Sequence, residues 1–263
     1  MSKFWFTISQ SSLKDLERAE GCPYKWKTNW IDRIRSKPSI YMDEGSYFET
    51  KCLGSGAIKG QDVTDLPRLK SGEKSSKHKR IDEQVESFNN LINNELKLKI
   101  VNSQRVIKCN HELKDGTIVE LKGVTDFETV NEHEEDYVVW DLKLTGDVDT
   151  TFGPYPWGDL EEFDFTQQIM YKYILERIGE KNLRMGMMVF DTSVRKGVKY
   201  FEVFPDEFDK SHLFQRIEAF VKVLNQYKEK GFTKIPSKKE CKGCPIKDKC
   251  DKAYQEAIEE ELT

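Results

Sequence analysis

The chain has 263 residues, of which 33% are charged and 11% aromatic, and its formal net charge is −4. This composition is typical of a soluble globular protein and excludes a disordered or fibrous chain. The net negative charge is not typical of a nucleic-acid-binding protein, which usually carries an excess of basic residues. No apolar stretch is long enough to span a membrane. The opening residues show no cleavage-like signal, so we expect a cytoplasmic protein.

The chain reads as α, then β, then α, which predicts an α/β protein and, at this length, a single domain over residues 1–263. Its expected parts are an N-terminal helical region (10–100), a core (104–205) and a C-terminal helix with a cysteine group (206–263). Helical periodicity predicts early helices in part of 10–22, in 24–34 and in 81–96. The serine- and lysine-rich stretch 71–80 reads as a flexible loop.

The middle of the chain switches to strand-like patterns. Alternating or continuous apolar runs separated by turn residues predict a sheet of about five strands, at 104–113, 117–130, 136–144, 184–192 and 197–204. Two helices are predicted to flank its end, at 163–178 and 206–229. The inward stripe of the second comprises Leu213, Ile217, Phe220, Val221 and Leu224.

Two charged residues interrupt the apolar run "VVWDLKLTG" at 138–146. Asp141 and Lys143 are two positions apart, so they share one face of the strand. Asp126 lies on the preceding strand, and adjacent antiparallel strands can bring the two carboxylates together. Paired carboxylates at a sheet's end suit Mg²⁺, with Lys143 placed to orient a water or to stabilise charge on a phosphodiester. Together these residues predict a phosphodiester-cleaving site.

Two further stretches follow the charged strand. Gln167 and Tyr171 are four residues apart in the predicted helix, so they project from one face, a spacing that also occurs often by chance. The loop 145–162 is dense in Gly, Pro and aromatic residues. We expect its aromatics Tyr155 and Trp157 to be exposed and to stack on unpaired bases, although such a loop can also be plain packing.

Four of the six cysteines form a pattern. Cys241, Cys244 and Cys250 lie within ten residues of one another, and Cys22, followed by proline as Cys244 is, offers a fourth thiolate. With no signal peptide recognised, disulfides are disfavoured and metal ligation is the better explanation of clustered thiols. Four thiolates suit structural zinc or a cubane iron-sulfur cluster, and their spacing leaves both open.

These motifs together resemble a known family. Gly123-Val124-Thr125-Asp126, Asp141-Leu142-Lys143 and the Gln167 to Tyr171 pair look like the G-x-x-D, D/E-x-K and Q-x-x-x-Y motifs of RecB-type nucleases in the PD-(D/E)XK superfamily. The cysteine pattern is similar to the iron-sulfur branch of that family, which includes the AddB nuclease domain and CRISPR-associated exonucleases.

The resemblance implies a restriction-endonuclease-like core with a central mixed sheet. It also implies a four-iron four-sulfur (4Fe-4S) cluster on Cys22, Cys241, Cys244 and Cys250 that joins the N- and C-terminal segments. Family members commonly carry a histidine on an early helix as a further metal ligand. Glu49 stands there in this chain, and we expect it to ligate Mg²⁺ or Mn²⁺.

The sequence therefore predicts a metal-dependent DNA exonuclease that uses Asp126, Asp141 and Lys143, with help from Glu49, Gln167 and Tyr171. The expected substrate is single-stranded DNA or DNA ends, and the expected setting is phage recombination, DNA repair or CRISPR adaptation. No G-x-x-x-x-G-K-[ST] motor loop is present, so we expect a stand-alone nuclease without a motor of its own. A recombination or helicase protein is the candidate partner. The alternatives are a non-catalytic DNA-binding or assembly subunit and a zinc-stabilised interaction domain.

Overall fold

The computed structural model describes residues 3–18, 22–35, 38–56, 62–131, 137–151, 155–235, 241, 244–247 and 250. The α-helices in this part of the chain are α1 (Gln10–Arg18), α2 (Pro23–Trp30), α3 (Ile40–Leu53), α4 (Ser76–Asn90), α5 (Thr166–Arg177) and α6 (Glu207–Lys230). The strands are β1 (Lys99–Ser103), β2 (Val106–Glu112), β3 (Ile118–Val124), β4 (Phe127–Val130), β5 (Tyr137–Thr145), β6 (Leu183–Asp191) and β7 (Val198–Val203). No helix described here is long and apolar enough to cross a membrane.

The chain divides into two compact units. The first, which we call the terminal unit, contains Met1–Lys37, Asn110–Leu121 and Ser211–Thr263. The second, the sheet unit, contains Pro38–Cys109 and Lys122–Lys210.

The sheet unit is built on a five-stranded sheet in the order β1-β4-β5-β6-β7. β5 and β6 run parallel, whereas the other neighbouring pairs are antiparallel. This arrangement confirms the predicted α/β fold with a mixed central sheet of five strands.

One face of the sheet carries the main hydrophobic core. Alternation along β5 directs Val138, Trp140 and Leu142 to this face, where they join Phe127, Met188 and Phe190 from the neighbouring strands and aromatic residues of α3 and α4. Gly186 permits the packing, because a Cβ there would lie 2.4 Å from the Trp140 ring. The opposite face of β5 is thereby left to Asp141 and Lys143.

Two of the predicted strands are wrong in detail. The segment 117–130 is two strands, because it bends at Thr125 and Asp126, where the Thr125 N–H donates to the Arg105 carbonyl at 3.0 Å. β2, predicted as a member of the main sheet, pairs with β3 in a separate two-stranded sheet. The fifth strand of the main sheet is β1, a segment for which no strand was predicted.

The helical predictions need two corrections. The predicted loop 71–80 is wrong from Ser76 onward, because the Ser75 hydroxyl accepts a hydrogen bond from the His78 N–H at 3.1 Å and starts α4 there. Periodicity did not predict α3, although the resemblance places Glu49 on an early helix. Ser39 caps α3 by accepting from the Met42 N–H.

The terminal unit has an aromatic core. Phe6, Trp26 and Phe220 lie within 5.2–6.1 Å of one another, measured between ring centroids. The Trp26 indole donates to the Ser12 carbonyl at 2.9 Å and so fixes α2 against α1. The predicted inward stripe of α6 is confirmed, since its five residues are all buried.

Candidate active site

The sheet brings Asp126 and Asp141 to neighbouring positions. Asp126 sits in the bend immediately before β4, and β4 pairs antiparallel with β5 so that Phe127 lies opposite Trp140. The Asp126 carboxylate accepts a hydrogen bond from the Leu142 N–H at 2.7 Å. This bond ties the carboxylate of one strand to the backbone of the next.

Lys143 lies between the two carboxylates. Its Nζ is 2.6 Å from Asp141 Oδ1 and 3.9 Å from Asp126 Oδ2. Burial alone would lower the pKa of Lys143, but the carboxylates of Asp141 and Asp126 outweigh it and raise that pKa. The ammonium therefore partly neutralises two acidic side chains that would otherwise repel each other at close range.

The N-terminal turn of α5 also binds Asp141. Gln167 Nε2 donates to Asp141 Oδ1 at 2.6 Å, and Gln168 Nε2 lies 3.3 Å from Asp141 Oδ2. Gln168 was not predicted as a site residue, although its position beside Gln167 was a signal for it. With Lys143, the two amides leave the Asp141 side chain few alternative orientations.

Tyr171 lies one helical turn after Gln167 and packs against Gly123 on β3. A Cβ at Gly123 would lie 2.5 Å from Tyr171 Cε1, far inside ordinary contact distance. The glycine of the G-x-x-D motif is therefore the residue that allows the ring to approach. Burial, and then the carboxylates of Asp126 and Asp141, raise the pKa of Tyr171.

Glu49 approaches the same group from α3. Its Oε1 accepts a hydrogen bond from Gln104 Nε2 at 2.6 Å. Burial, reinforced by the charges of Asp141 and Glu49, raises the pKa of Asp126 well above its usual range despite the opposing effect of Lys143. Three acidic side chains from three elements therefore interact electrostatically.

These carboxylates suit a hard divalent cation, because Mg²⁺ and Mn²⁺ take oxygen ligands. As they stand, however, no three His, Cys, Asp or Glu side chains of the described residues are grouped so as to hold a metal ion. The positive charge now within the group is the Lys143 ammonium, which lies against Asp141. The donor chemistry therefore fits a divalent cation, provided that these side chains adjust.

The expectation that Trp157 is exposed is wrong. Its side chain is 4% exposed and packs with Val148, Met187 and Val189, because the apolar sheet face beside the carboxylates takes up the indole. Tyr155 is 47% exposed and stacks on Trp157, with ring centroids 6.0 Å apart and planes 11° apart. Of the two, only Tyr155 offers a ring to a ligand.

The predicted cluster ligands lie in the terminal unit. Cys241 is buried, and burial together with the nearby thiols of Cys241 and Cys22 raises the pKa of Cys244. The Cys244 N–H donates to the Cys241 carbonyl at 3.1 Å, while the Cys250 N–H donates to that of Lys247 at 3.3 Å. The thiols of Cys22 and Cys241 thus act on Cys244, although no three cysteines of the described residues are grouped so as to hold a metal ion. Thiolates are ligands of both iron-sulfur clusters and zinc, so the residue types leave the two open.

The N- and C-terminal segments meet next to these cysteines. The Tyr24 N–H donates to the Thr233 carbonyl at 3.2 Å, and the rings of Trp26 and Phe232 are stacked with centroids 6.3 Å apart. The segment that follows Cys22 is thus packed against the segment that leads toward Cys241.

A solved structure and a family model resemble this chain, whereas no curated protein sequence matches it significantly. A crystal structure from Eubacterium rectale, titled "putative exonuclease", has a TM-score of 0.57 and 14% sequence identity, and the match covers 86% of this chain and 83% of that one. At this identity the likeness shows the fold alone. The model of the PD-(D/E)XK nuclease superfamily matches residues 57–251, a span that begins after Cys22 and Glu49. Because this match includes most of the sequence, the chain belongs to the PD-(D/E)XK nuclease superfamily.

Proposed function

We propose that the protein is a Mg²⁺- or Mn²⁺-dependent deoxyribonuclease that removes nucleotides from DNA ends. The proposal rests on one observation: the carboxylates of Asp141, on β5, and Asp126, in the bend before β4, both lie within 3.9 Å of the Lys143 Nζ. Superfamily membership supports nuclease activity. The resemblance of the motifs to RecB-type nucleases supports DNA as the substrate and its ends as the place of attack.

The carboxylates of Asp126, Asp141 and Glu49 would hold the cation. When bound, the cation would lower the pKa of a water molecule and neutralise charge on a phosphate oxygen. Gln167 and Gln168 orient Asp141, and the Leu142 N–H orients Asp126. The Lys143 ammonium donates hydrogen bonds to the oxygens that gain negative charge as water adds to phosphorus and the P–O bond breaks.

Tyr155 is the proposed contact for an unpaired base. Asp141 pairs with Met187 and Lys143 with Val189 in the parallel register of β5 and β6, so all four side chains share one face of the sheet. Trp157 packs on Met187 and Val189, and Tyr155 stacks on Trp157. The exposed ring is therefore on the carboxylate side of the sheet, which favours a single-stranded end as the substrate.

The four patterned cysteines would hold a 4Fe-4S cluster with a structural role. The effect of the Cys241 and Cys22 thiols on the pKa of Cys244 supports a shared site, and the resemblance to the iron-sulfur branch favours iron over zinc. The same resemblance is the basis for placing the enzyme in phage recombination, DNA repair or CRISPR adaptation, alongside a helicase or recombination partner.

The proposal is tested with two single variants and a matched control. Asp141→Ala and Lys143→Ala remove members of the site, whereas Arg184→Ala removes another strand cation, one that is paired with Glu202. End-labelled single- and double-stranded DNA is incubated with Mn²⁺, and DNA binding is followed by fluorescence anisotropy. We expect each site variant to lose cleavage by at least about 10²-fold while it still binds DNA, and the control to keep its activity.

Full cleavage by either site variant would refute the assignment of the site. Internal cutting of a circular single-stranded substrate at the rate of end trimming would refute the exonuclease mode while leaving nuclease activity in place. Loss of cleavage in Arg184→Ala to the same extent as in Lys143→Ala would point to general damage to the sheet.

A further inference from the structure

Gln104 occupies a strained position in the turn between β1 and β2. Its φ is +50°, in the left-handed region that residues other than Gly, Asn and Asp rarely adopt. Its backbone N–H donates to the Asp126 carbonyl at 2.7 Å. The next residue, Arg105, accepts from the Thr125 N–H through its carbonyl at 3.0 Å. The turn is therefore bonded to the bend that carries Asp126.

The side chain of Gln104 reaches a second carboxylate. Its Nε2 donates to Glu49 Oε1 at 2.6 Å, across 55 residues of sequence. The residue is only 8% exposed, and its Oε1 has no hydrogen-bond partner among the residues that the structure describes. This oxygen lies close to Gly56, where an added Cβ would be 2.7 Å from it. The amide is thus held by packing and directed at Glu49.

Gln104 therefore touches two of the three proposed ligand residues, on two different elements. Its backbone N–H donates a hydrogen bond to the Asp126 carbonyl just before β4, and its side-chain amide donates one to Glu49 on α3. An amide is neutral, so it can orient a carboxylate without competing with the cation for the negative charge. An ammonium group, by contrast, would compete. Hydrogen bonds of this kind, behind the ligands of a metal, fix ligand orientation and tune affinity.

We propose that Gln104 is a positioning residue that sets the placement of Glu49 relative to Asp126. This placement determines the affinity for the divalent cation, so the inference rests on the proposed function. A strained backbone marks a position that its surroundings must enforce, and such positions cluster at functional sites. Asn or Gly would relieve the strain at Gln104, but neither can reach Glu49 with an amide. The side chain, not the turn, is what the site needs.

The experiment separates the amide from the backbone strain. Gln104→Asn keeps an amide and tolerates positive φ but is one methylene shorter, whereas Gln104→Gly removes both the amide and the strain. Lys97→Gly is the matched control, because Lys97 is exposed and has a φ of +49°. Mn²⁺ affinity is measured by calorimetry on the protein without DNA, with thermal unfolding and the kcat and KM of cleavage alongside.

We expect both Gln104 variants to bind Mn²⁺ about 10–100-fold more weakly than wild type. Their unfolding temperatures show how far relief of the backbone strain offsets the loss of the buried hydrogen bond to Glu49. Their kcat at a fixed subsaturating Mn²⁺ concentration should fall, and added Mn²⁺ should restore it. Lys97→Gly should keep wild-type affinity. In a Glu49→Ala background, Gln104→Gly should cause no further loss, because the two residues act through one contact.

Wild-type Mn²⁺ affinity in Gln104→Gly, in a protein that binds Mn²⁺ and cleaves DNA, would overturn the inference and leave the proposed function intact. An equal loss of Mn²⁺ affinity in Lys97→Gly would also overturn the inference, because the loss would then follow from a glycine at a positive-φ position and not from removal of the Gln104 amide. A wild-type protein that binds no Mn²⁺ and cleaves no DNA would instead overturn the proposed function, and this inference with it.

Discussion

Gly123→Ala is a small change with a large expected effect. The added Cβ would lie 2.5, 2.8 and 3.2 Å from three carbon atoms of the Tyr171 ring. Ordinary contact begins at 3.4 Å, so the ring or the strand has to move by about 0.9 Å. Tyr171 lies on α5, and one turn earlier Gln167 binds Asp141. A shift of the helix to make room for the added Cβ would therefore also disturb this hydrogen bond.

The resulting overpacking should cost about 1–3 kcal/mol in the free energy of unfolding. For a chain of this size that corresponds to a fall of about 2–12 °C in the unfolding temperature, measured by calorimetry or circular dichroism. Cleavage should fall as well, because a shift of about 1 Å at a reacting site can reduce the rate about 10²-fold. Gly146→Ala is the control, since nothing lies within 4 Å of a Cβ at that position.

A double-mutant cycle isolates the contact. In a Tyr171→Ala background, Gly123→Ala should destabilise the protein by less than about 0.5 kcal/mol, because the clashing atoms are gone. A Gly123→Ala protein with wild-type unfolding temperature and activity would refute the reasoning. So would an equal destabilisation with and without the tyrosine ring.

Three further predictions concern other parts of the chain. Tyr155→Ala should weaken single-stranded DNA binding by about 1–3 kcal/mol in anisotropy titrations. Trp157→Ala should instead lower the free energy of unfolding by about 3–5 kcal/mol in denaturant titrations. The reverse pattern would contradict the burial of the indole. We expect anaerobically purified wild type to contain iron, Cys22→Ala to lose it and Cys52→Ala to keep it. Elemental analysis that finds zinc in place of iron would exclude the iron-sulfur cluster. Burial raises the pKa of Tyr137 to about 12, above its unfolded value of about 10, so its contribution to stability is complete below pH 10 and is lost as pH rises through 12. The difference in free energy of unfolding between wild type and Tyr137→Phe should therefore narrow between about pH 10 and pH 12. A difference that stays constant over this range would contradict the raised pKa of Tyr137.

The carboxylate pair could be predicted from the sequence because it depends on local rules. Strand alternation puts Asp141 and Lys143 on one face, and a short antiparallel connection places Asp126 beside them. The mixed sheet and the inward stripe of α6 follow from periodicity in the same way. In each case the residues that decide the outcome are close in sequence or share a repeating pattern.

Other features depend on contacts that no local pattern encodes. Gln104 matters through Glu49, 55 residues away, and its turn carries no glycine to mark the positive φ. Trp157 sits in a Gly- and Pro-rich loop, which suggested exposure, but the apolar face formed by Met187 and Val189 accepts its ring. α4 starts at a serine cap before Ile81, where the apolar periodicity that predicted the helix begins.

The central claim, that this chain hydrolyses DNA ends with a divalent cation held at Asp126 and Asp141, is tested most directly by one cleavage assay. Purified wild type and Asp141→Ala are incubated with 5′-end-labelled single-stranded DNA in Mg²⁺, in Mn²⁺ and in EDTA. We expect progressive shortening of the DNA or release of its labelled end by wild type with either cation, none in EDTA, and none by the variant under any condition. Shortening that persists in EDTA, or that Asp141→Ala carries out at the wild-type rate, would contradict the claim.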